Sequence, residues 1–302
     1  DGGQEVFAYT AQLGNGVSAS ISAENAATRR ENIYRQGDGF GATFAITNRH
    51  AKLIAPDIVG NLRIDQAWGS AQVMAAAHDA SGAYYTGDQG SGHPGDKWGW
   101  AVGGGIKINL PMIAAGDYVA AQVAYSEGAL QYICQHPGCS FDNAFQGGSS
   151  FGYGIWTDAV YGATLGDEMQ LTTGWGVAAA WEHFWTPSLR TSLHGGYLEV
   201  KYNDVANAFL CTGAGISFTA AGASGLATCN NDFKRWQVGS RTQWNVTKQF
   251  YMGFDVLYQV INTASEGATA SVTGFGGQPT GLRTIEDQDN WAVRARWHRD
   301  LP

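Results

Sequence analysis

Alternation with a period of two runs along nearly the whole chain. From Trp98 onward, Trp98, Trp100, Val102, Gly104, Ile106, Ile108 and Leu110 share one side, while Gly99, Ala101, Gly103, Gly105, Lys107 and Asn109 share the other. That is the pattern of a strand that is apolar on one face only. Ile58, Leu62, Ile64 and Trp68 likewise oppose Asn61, Arg63 and Asp65, and Val119, Ala121, Val123 and Tyr125 oppose Gln122 and Ser126. Leu171, Trp175, Val177, Ala179 and Trp181 oppose Thr172, Gly174, Gly176 and Glu182. Trp236, Val238, Thr242, Trp244 and Val246 oppose Arg235, Gln237, Arg241 and Asn245, and Trp291, Val293, Ala295 and Trp297 oppose Arg294, Arg296 and His298. The alternation blurs between Leu193 and Tyr202, where Gly195 and Gly196 are expected to mark a bulge.

Connections alternate between short and long. The short ones are Gly14 to Gly16, Trp68 to Ser70, Pro111 to Gly116, Thr186 to Ser188 and Thr247 to Gln249; the long ones cover roughly 25–57, 80–96, 128–170, 203–232 and 263–289. Asn15 followed by Gly16 is a strong hairpin signal, because both positions accept positive φ. Five short and five long connections imply eleven strands, most of about ten residues, the length of a tilted membrane-crossing strand. The expected fold is all-β, a transmembrane antiparallel barrel with short periplasmic turns and long extracellular loops. A soluble sandwich would hide its large aromatics centrally. Here ten of the eleven Trp, all but Trp156, lie on the apolar face or beside a turn, as in the girdles of a lipid-facing wall. The count is least secure in 128–170, where Phe151 to Ala159 could span. The long uncharged run from Val205 to Asn231 is too rich in small and polar residues for a membrane helix and reads as a loop.

Composition narrows the partners. The balance of 18 basic and 26 acidic residues gives −8, which excludes a nucleic-acid partner that needs a basic footprint. The 13 Tyr, 13 Phe and 11 Trp exclude disorder. Cys134 with Cys139, and Cys211 with Cys229, sit in loop-like stretches and are expected to form disulfides in an oxidising compartment, not a metal site. There is no GxSxG elbow, HExxH or phosphate-binding GK[ST] loop, so neither an enzyme nor a cofactor is expected. Residues 1–302 read as one barrel domain. The chain opens Asp1, Gly2, Gly3 without Met or signal peptide. A complete barrel has an even strand count with both ends periplasmic, so an odd count carries the expectation that N-terminal strands are missing.

The stretches Tyr9 to Ser20 (YTAQLGNGVSAS), Asp65 to Gln72 (DQAWGSAQ), Leu171 to Gly176 (LTTGWG) and Asn290 to Asp300 (NWAVRARWHRD) resemble the general porins of alphaproteobacteria such as rhizobia and brucellae. The resemblance implies a sixteen-stranded, water-filled barrel in outer-membrane lipid. It also implies a homotrimer that passes ions and small hydrophilic solutes, with the eleven readable strands as the last eleven. The pore-narrowing loop after the fifth strand would then be absent, or represented only by Asp1 to Glu5. The family's N-terminal region with its own cysteine pair is absent here, and the chain ends on Leu301 and Pro302 where such barrels finish on or near an aromatic. A substrate-specific channel and a non-conducting surface-display barrel are the alternatives.

In a pore the polar face is the working face. Arg63, Asp65, Lys107, Arg190, Arg235, Arg241, Asp255, Arg294 and Arg296 fall on it, seven of the nine cationic. The acidic excess then belongs in or beside loops, at Glu24, Asp88, Asp96, Asp167, Glu168, Glu286, Asp287 and Asp289. A basic wall facing an acidic constriction supplied by these loops or by the absent one is the expectation. His194 and His298 are expected on the polar face as well, and His183 beside a turn.

Overall fold

The computed structural model describes residues 5–37, 49–51, 55–86, 88–133, 145–213, 229–272 and 281–300. Eleven long strands form one sheet: β1 (Val6–Gly14), β2 (Val17–Glu24), β3 (Asp57–Gln66), β4 (Gly69–Asp79), β5 (Trp98–Asn109), β6 (Tyr118–Glu127), β7 (Thr173–Thr186), β8 (Leu189–Lys201), β9 (Phe233–Thr247), β10 (Phe250–Asn262) and β11 (Gln288–Arg299). Each pairs antiparallel with the next in chain order, so the sheet is a meander whose edges are β1 and β11. Among the described residues, the outer edge of neither pairs with another strand. No described helix is long and apolar enough to cross a membrane.

These are the strands and connections that the alternation predicts, and Phe151 to Ala159 lies within the long connection between β6 and β7. The glycine pair on β8 is a correction. Gly195 and Gly196 pair in unbroken register with β7 and β9, and the register shifts fall beside the turns instead, at Gln12/Gly14, Phe184/Thr186 and Asn245/Thr247. Small residues there admit close neighbours without an extra residue in the ladder: a Cβ on Gly195 would stand 3.1 Å from the Gln237 carbonyl oxygen.

Register converts alternation into two surfaces, because residues directly opposite across a ladder share a face. One inward row crosses the whole sheet: Gln12, Ser18, Arg63, Gln72, Gly105 and Gln122 on β1–β6, then Ala178, Gly196, Gln237, Gln259 and Asn290 on β7–β11. Every member is polar or small. The outward side exposes Leu62, Val73, Val123, Trp236 and Val293. It also carries an aromatic belt on seven consecutive strands. Trp100 meets Tyr125 at 5.3 Å between ring centres, Trp175 meets Tyr197 at 5.0 Å, and Tyr258 touches both Trp236 and Trp291 at 5.5 and 4.8 Å. Amphipathic rings of this kind settle where hydrocarbon meets headgroups.

The long connections fold into a cap with its own core. Ile33–Arg35, Ala159–Tyr161 and Gln170–Leu171 make a three-stranded sheet; Phe145–Gly147, Ser150–Gly152, Thr269–Val272 and Gly281–Ile285 make a four-stranded one. Tyr34, Leu130, Ile133, Phe151, Ile155 and Trp156 pack there against Ala124, Leu198, Val200 and Phe233 on the inward face of the wall. Trp156, the exception to the tryptophan pattern, is therefore a core residue of the cap. Each fully buried side chain of this size contributes about 1.5–3 kcal/mol. The run expected to be a loop after Asn203 holds helix α1 (Asp204–Gly213), and Cys211 near its end is disulfide-bonded to Cys229. Cys134 and Cys139 lie outside the described residues.

The β1–β2 hairpin gives a test of its turn chemistry. Asn15 and Gly16 adopt φ of 49° and 76°, and a Cβ on Gly16 would lie 2.0 Å from the Asp65 carbonyl oxygen, whereas Gly14, at φ 89°, has open space around it. Gly16→Ala should lower stability to urea by more than about 2 kcal/mol, and Gly14→Ala only by the conformational cost of about 1 kcal/mol. Urea titration of both variants followed by tryptophan fluorescence checks the order.

Candidate functional site

All nine residues expected on the polar face lie on the inward side of the sheet, but not in equivalent surroundings. On the row shared by Ser192, Arg241, Asp255 and Arg294, Asp255 accepts ion pairs from Arg241 at 3.3 Å and from Arg294 at 3.9 Å. Arg190 pairs with Glu182 at 2.9 Å, and the Nε and Nη2 of Arg63 both donate to Asp65, at 2.7 and 2.6 Å. Arg296 is half-buried on β11 opposite Gly253. Arg235 is buried, only 8% exposed, beside Leu198 where the wall meets the cap. His194 and His298 are also on the inward side, and His183 on the outward side touches Trp181 and Trp185.

Beneath the cap the inward face bounds a cavity of about 660 Å³. Its floor is built from small residues such as Ser70, Gly103, Gly105, Ala120, Ala178 and Gly196. Polar side chains reach in from the wall at Arg63, Gln72, Lys107, Gln122, His194 and Gln237, and from the loops at Arg29 and Tyr132. Arg29 was not singled out by the alternation, because it lies in a connection; it sits over the Tyr132 ring at 4.9 Å and pairs with Glu24 at 3.3 Å.

The acidic constriction is not formed by the loop carboxylates expected to supply it. None of the eight lines the cavity. Asp88 and Asp167 hold their own loops through the Gly90 and Thr164 amides, and Asp287 accepts from the Thr263 amide and the Asn262 side chain. Asp289 lies on β11 and accepts from the Tyr258 hydroxyl, on the outward side. Short side chains next to turns find backbone donors closer than any lumen cation.

A buried polar cluster fastens the cap to the wall. His78 continues the inward series of Gln72, Met74 and Ala76 on β4, and its Nδ1 lies 2.8 Å from Asp57 on β3. Asp158, from the β6–β7 connection, approaches its Nε2 at 3.5 Å; all three side chains are fully buried. Asp158 also accepts from the amides of Glu31 and Leu130, at 2.9 and 2.7 Å, so one carboxylate ties two connections together. The Tyr132 hydroxyl donates to Asp57 at 2.7 Å, and burial together with that carboxylate pushes the phenol well above its ordinary range, keeping it a donor. Burial lowers the pKa of the nearby His50 imidazole, which meets the Glu31 carbonyl. The only sequence signal for this cluster was a histidine on the inward side of a strand end.

His78→Gln removes the one group between two buried carboxylates. It should lower stability by about 3 kcal/mol and expose the cap to proteolysis before the strands. Tyr132→Phe should cost nearer 1 kcal/mol. Limited proteolysis with peptide mapping, beside urea titration, reads both.

The sequence profile of the family described as Porin subfamily matches residues 2–293. A search of curated proteins finds no match. Among solved structures, an anion-selective porin from Comamonas acidovorans aligns with a TM-score of 0.45 at 9% identity, covering 97% of this chain and 58% of that one. This chain thus spans little more than half the length of that porin. With its profile match running over nearly all of the meander and its loops, the chain belongs to the porin subfamily.

Proposed function

We propose that the chain forms most of the wall of an outer-membrane pore for the passive diffusion of ions and small hydrophilic solutes. The observation that carries this reading is the two-sided sheet: a row polar or small on every strand and a cavity of about 660 Å³ on one side, with Trp, Val and Leu exposed on the other. The nine inward residues then act as lining, with paired Arg and Asp setting the local field and no group placed for covalent chemistry. The finer assignment, a general porin of the alphaproteobacterial type with sixteen strands per barrel and three barrels per assembly, rests on the stretches that resemble that group. Both free edges need partner strands before the wall closes, because an unpaired ladder edge in hydrocarbon leaves its amides and carbonyls without partners. A second reading, a surface-display barrel that does not conduct, is favoured by the cap core packed on the inward face.

Reconstitution in a planar bilayer under a salt gradient separates the two. Stable open steps support the pore; their absence from protein whose insertion is verified supports the display barrel. Arg241→Gln leaves Asp255 with only its more distant cation. The anion-to-cation permeability ratio read from the reversal potential should fall roughly fourfold, because one charge acting over about 10 Å of water shifts anion and cation about twofold each in opposite directions. Arg235→Gln is the unsuitable variant, since Arg235 is buried against the cap.

A further inference from the structure

We propose that Lys107 is the centre of an oxyanion-binding station inside the lumen, taking small phosphate-, sulfate- or carboxylate-type solutes. This deepens the pore reading and rests on it for its place in transport. Among the cations lining the cavity, Arg63 is engaged by Asp65 and Arg29 by Glu24. Lys107 is different: its ammonium lies 4.0 Å from the centre of the Tyr118 ring, and no carboxylate among the described residues pairs with it.

The register explains why. Directly opposite Lys107 stand Ser70 on β4 and Ala120 on β6, and the diagonal positions on the lumen side are Gln72, Tyr118 and Gln122. None is acidic. Ser70 and Ala120 are short and leave room above the floor, while the Gln72 amide and the remaining Arg63 Nη1 can donate into the same space. Among the described residues no Asp or Glu lines the cavity; the inward Asp65 stands in the Lys107 row across Ser70 and is held by Arg63. An unpaired ammonium, neutral donors and a neighbouring carboxylate already engaged by Arg63 favour an oxyanion with several acceptor oxygens over a cation or a sugar. Arg63 and Lys107 stand two strands and one inward row apart, roughly 12 Å between Cα atoms, a span that two long side chains bridge around one such anion.

The test is amine acetylation of the full chain in detergent micelles, with inorganic phosphate as the probe at constant ionic strength. Peptide mass spectrometry reads Lys107 against Lys248, which lies in the short turn between β9 and β10. Phosphate should slow acetylation of Lys107 saturably while leaving Lys248 unchanged. Arg63→Gln should demand about tenfold more phosphate for the same protection, the loss of one charge-assisted hydrogen bond. Equal response of the two lysines, or none at Lys107, overturns the station. Bilayer recording on the same preparation keeps the two readings apart: open channels without protection overturn the station alone, and protection without channels supports the station while overturning the pore.

Discussion

In hydrocarbon, each backbone amide and carbonyl must find its partner inside the protein, and a ladder of antiparallel strands does this with side chains thrown alternately to opposite faces. The rest of the structure depends on that requirement. It keeps the register unbroken from β2 through β10 except beside the short turns, and it separates a row of Gln, Ser, Gly and Arg from one of Leu, Val, Tyr and Trp by a single residue's step. It also makes the connections asymmetric. Turns at one end can be two residues long, as at Asn15 and Gly16, while the other end is free to carry whole segments outside the membrane.

Those segments return to the wall and use its inward face as a floor. Leu198, Val200 and Phe233 are inward residues and would be out of place in water, but they receive Ile155, Trp156 and Tyr34 from the connections. The same inward face therefore has two regimes. Near the cap it is apolar and dry enough to bury Arg235; beyond the cap it carries charges that are mostly paired across neighbouring strands. Pairing fixes the side chains and shortens the reach of their fields, whereas Lys107 lies over the Tyr118 ring with no carboxylate partner among the described residues.

The wall was legible because each of its signals is local. Two-residue alternation located β5 and β11 almost to the residue, and Asn15 with Gly16 announced their turn through φ alone. The cap was not legible, because its short strands pair parallel and across the chain: Ile33 with Ala159, Thr284 with Ser150. The His78 latch has the same character, joining strand ends to a loop residue that no spacing links to them. Gly195 and Gly196 misled for a different reason. Glycine in a strand marks either a bulge or a close approach, and only the register distinguishes them.

Alternation also fixes where the cap sits relative to the membrane. Tyr125, Tyr197 and Trp236 of the outward belt are immediate chain neighbours of Ala124, Leu198 and Arg235, which face the cap. The belt and the cap core therefore lie back to back through the thickness of one sheet. Because such a belt seeks the boundary between hydrocarbon and headgroups, the cap sits at that boundary and not deep in the barrel. The Trp175 indole and the Tyr197 hydroxyl donate to Glu199, at 3.0 and 3.4 Å, and Glu199 pairs with Lys201 at 3.1 Å and more distantly with Lys234, giving the belt the charged outer edge expected of an interface. Lys107 lies further along β5, toward the short-turn end from Trp100.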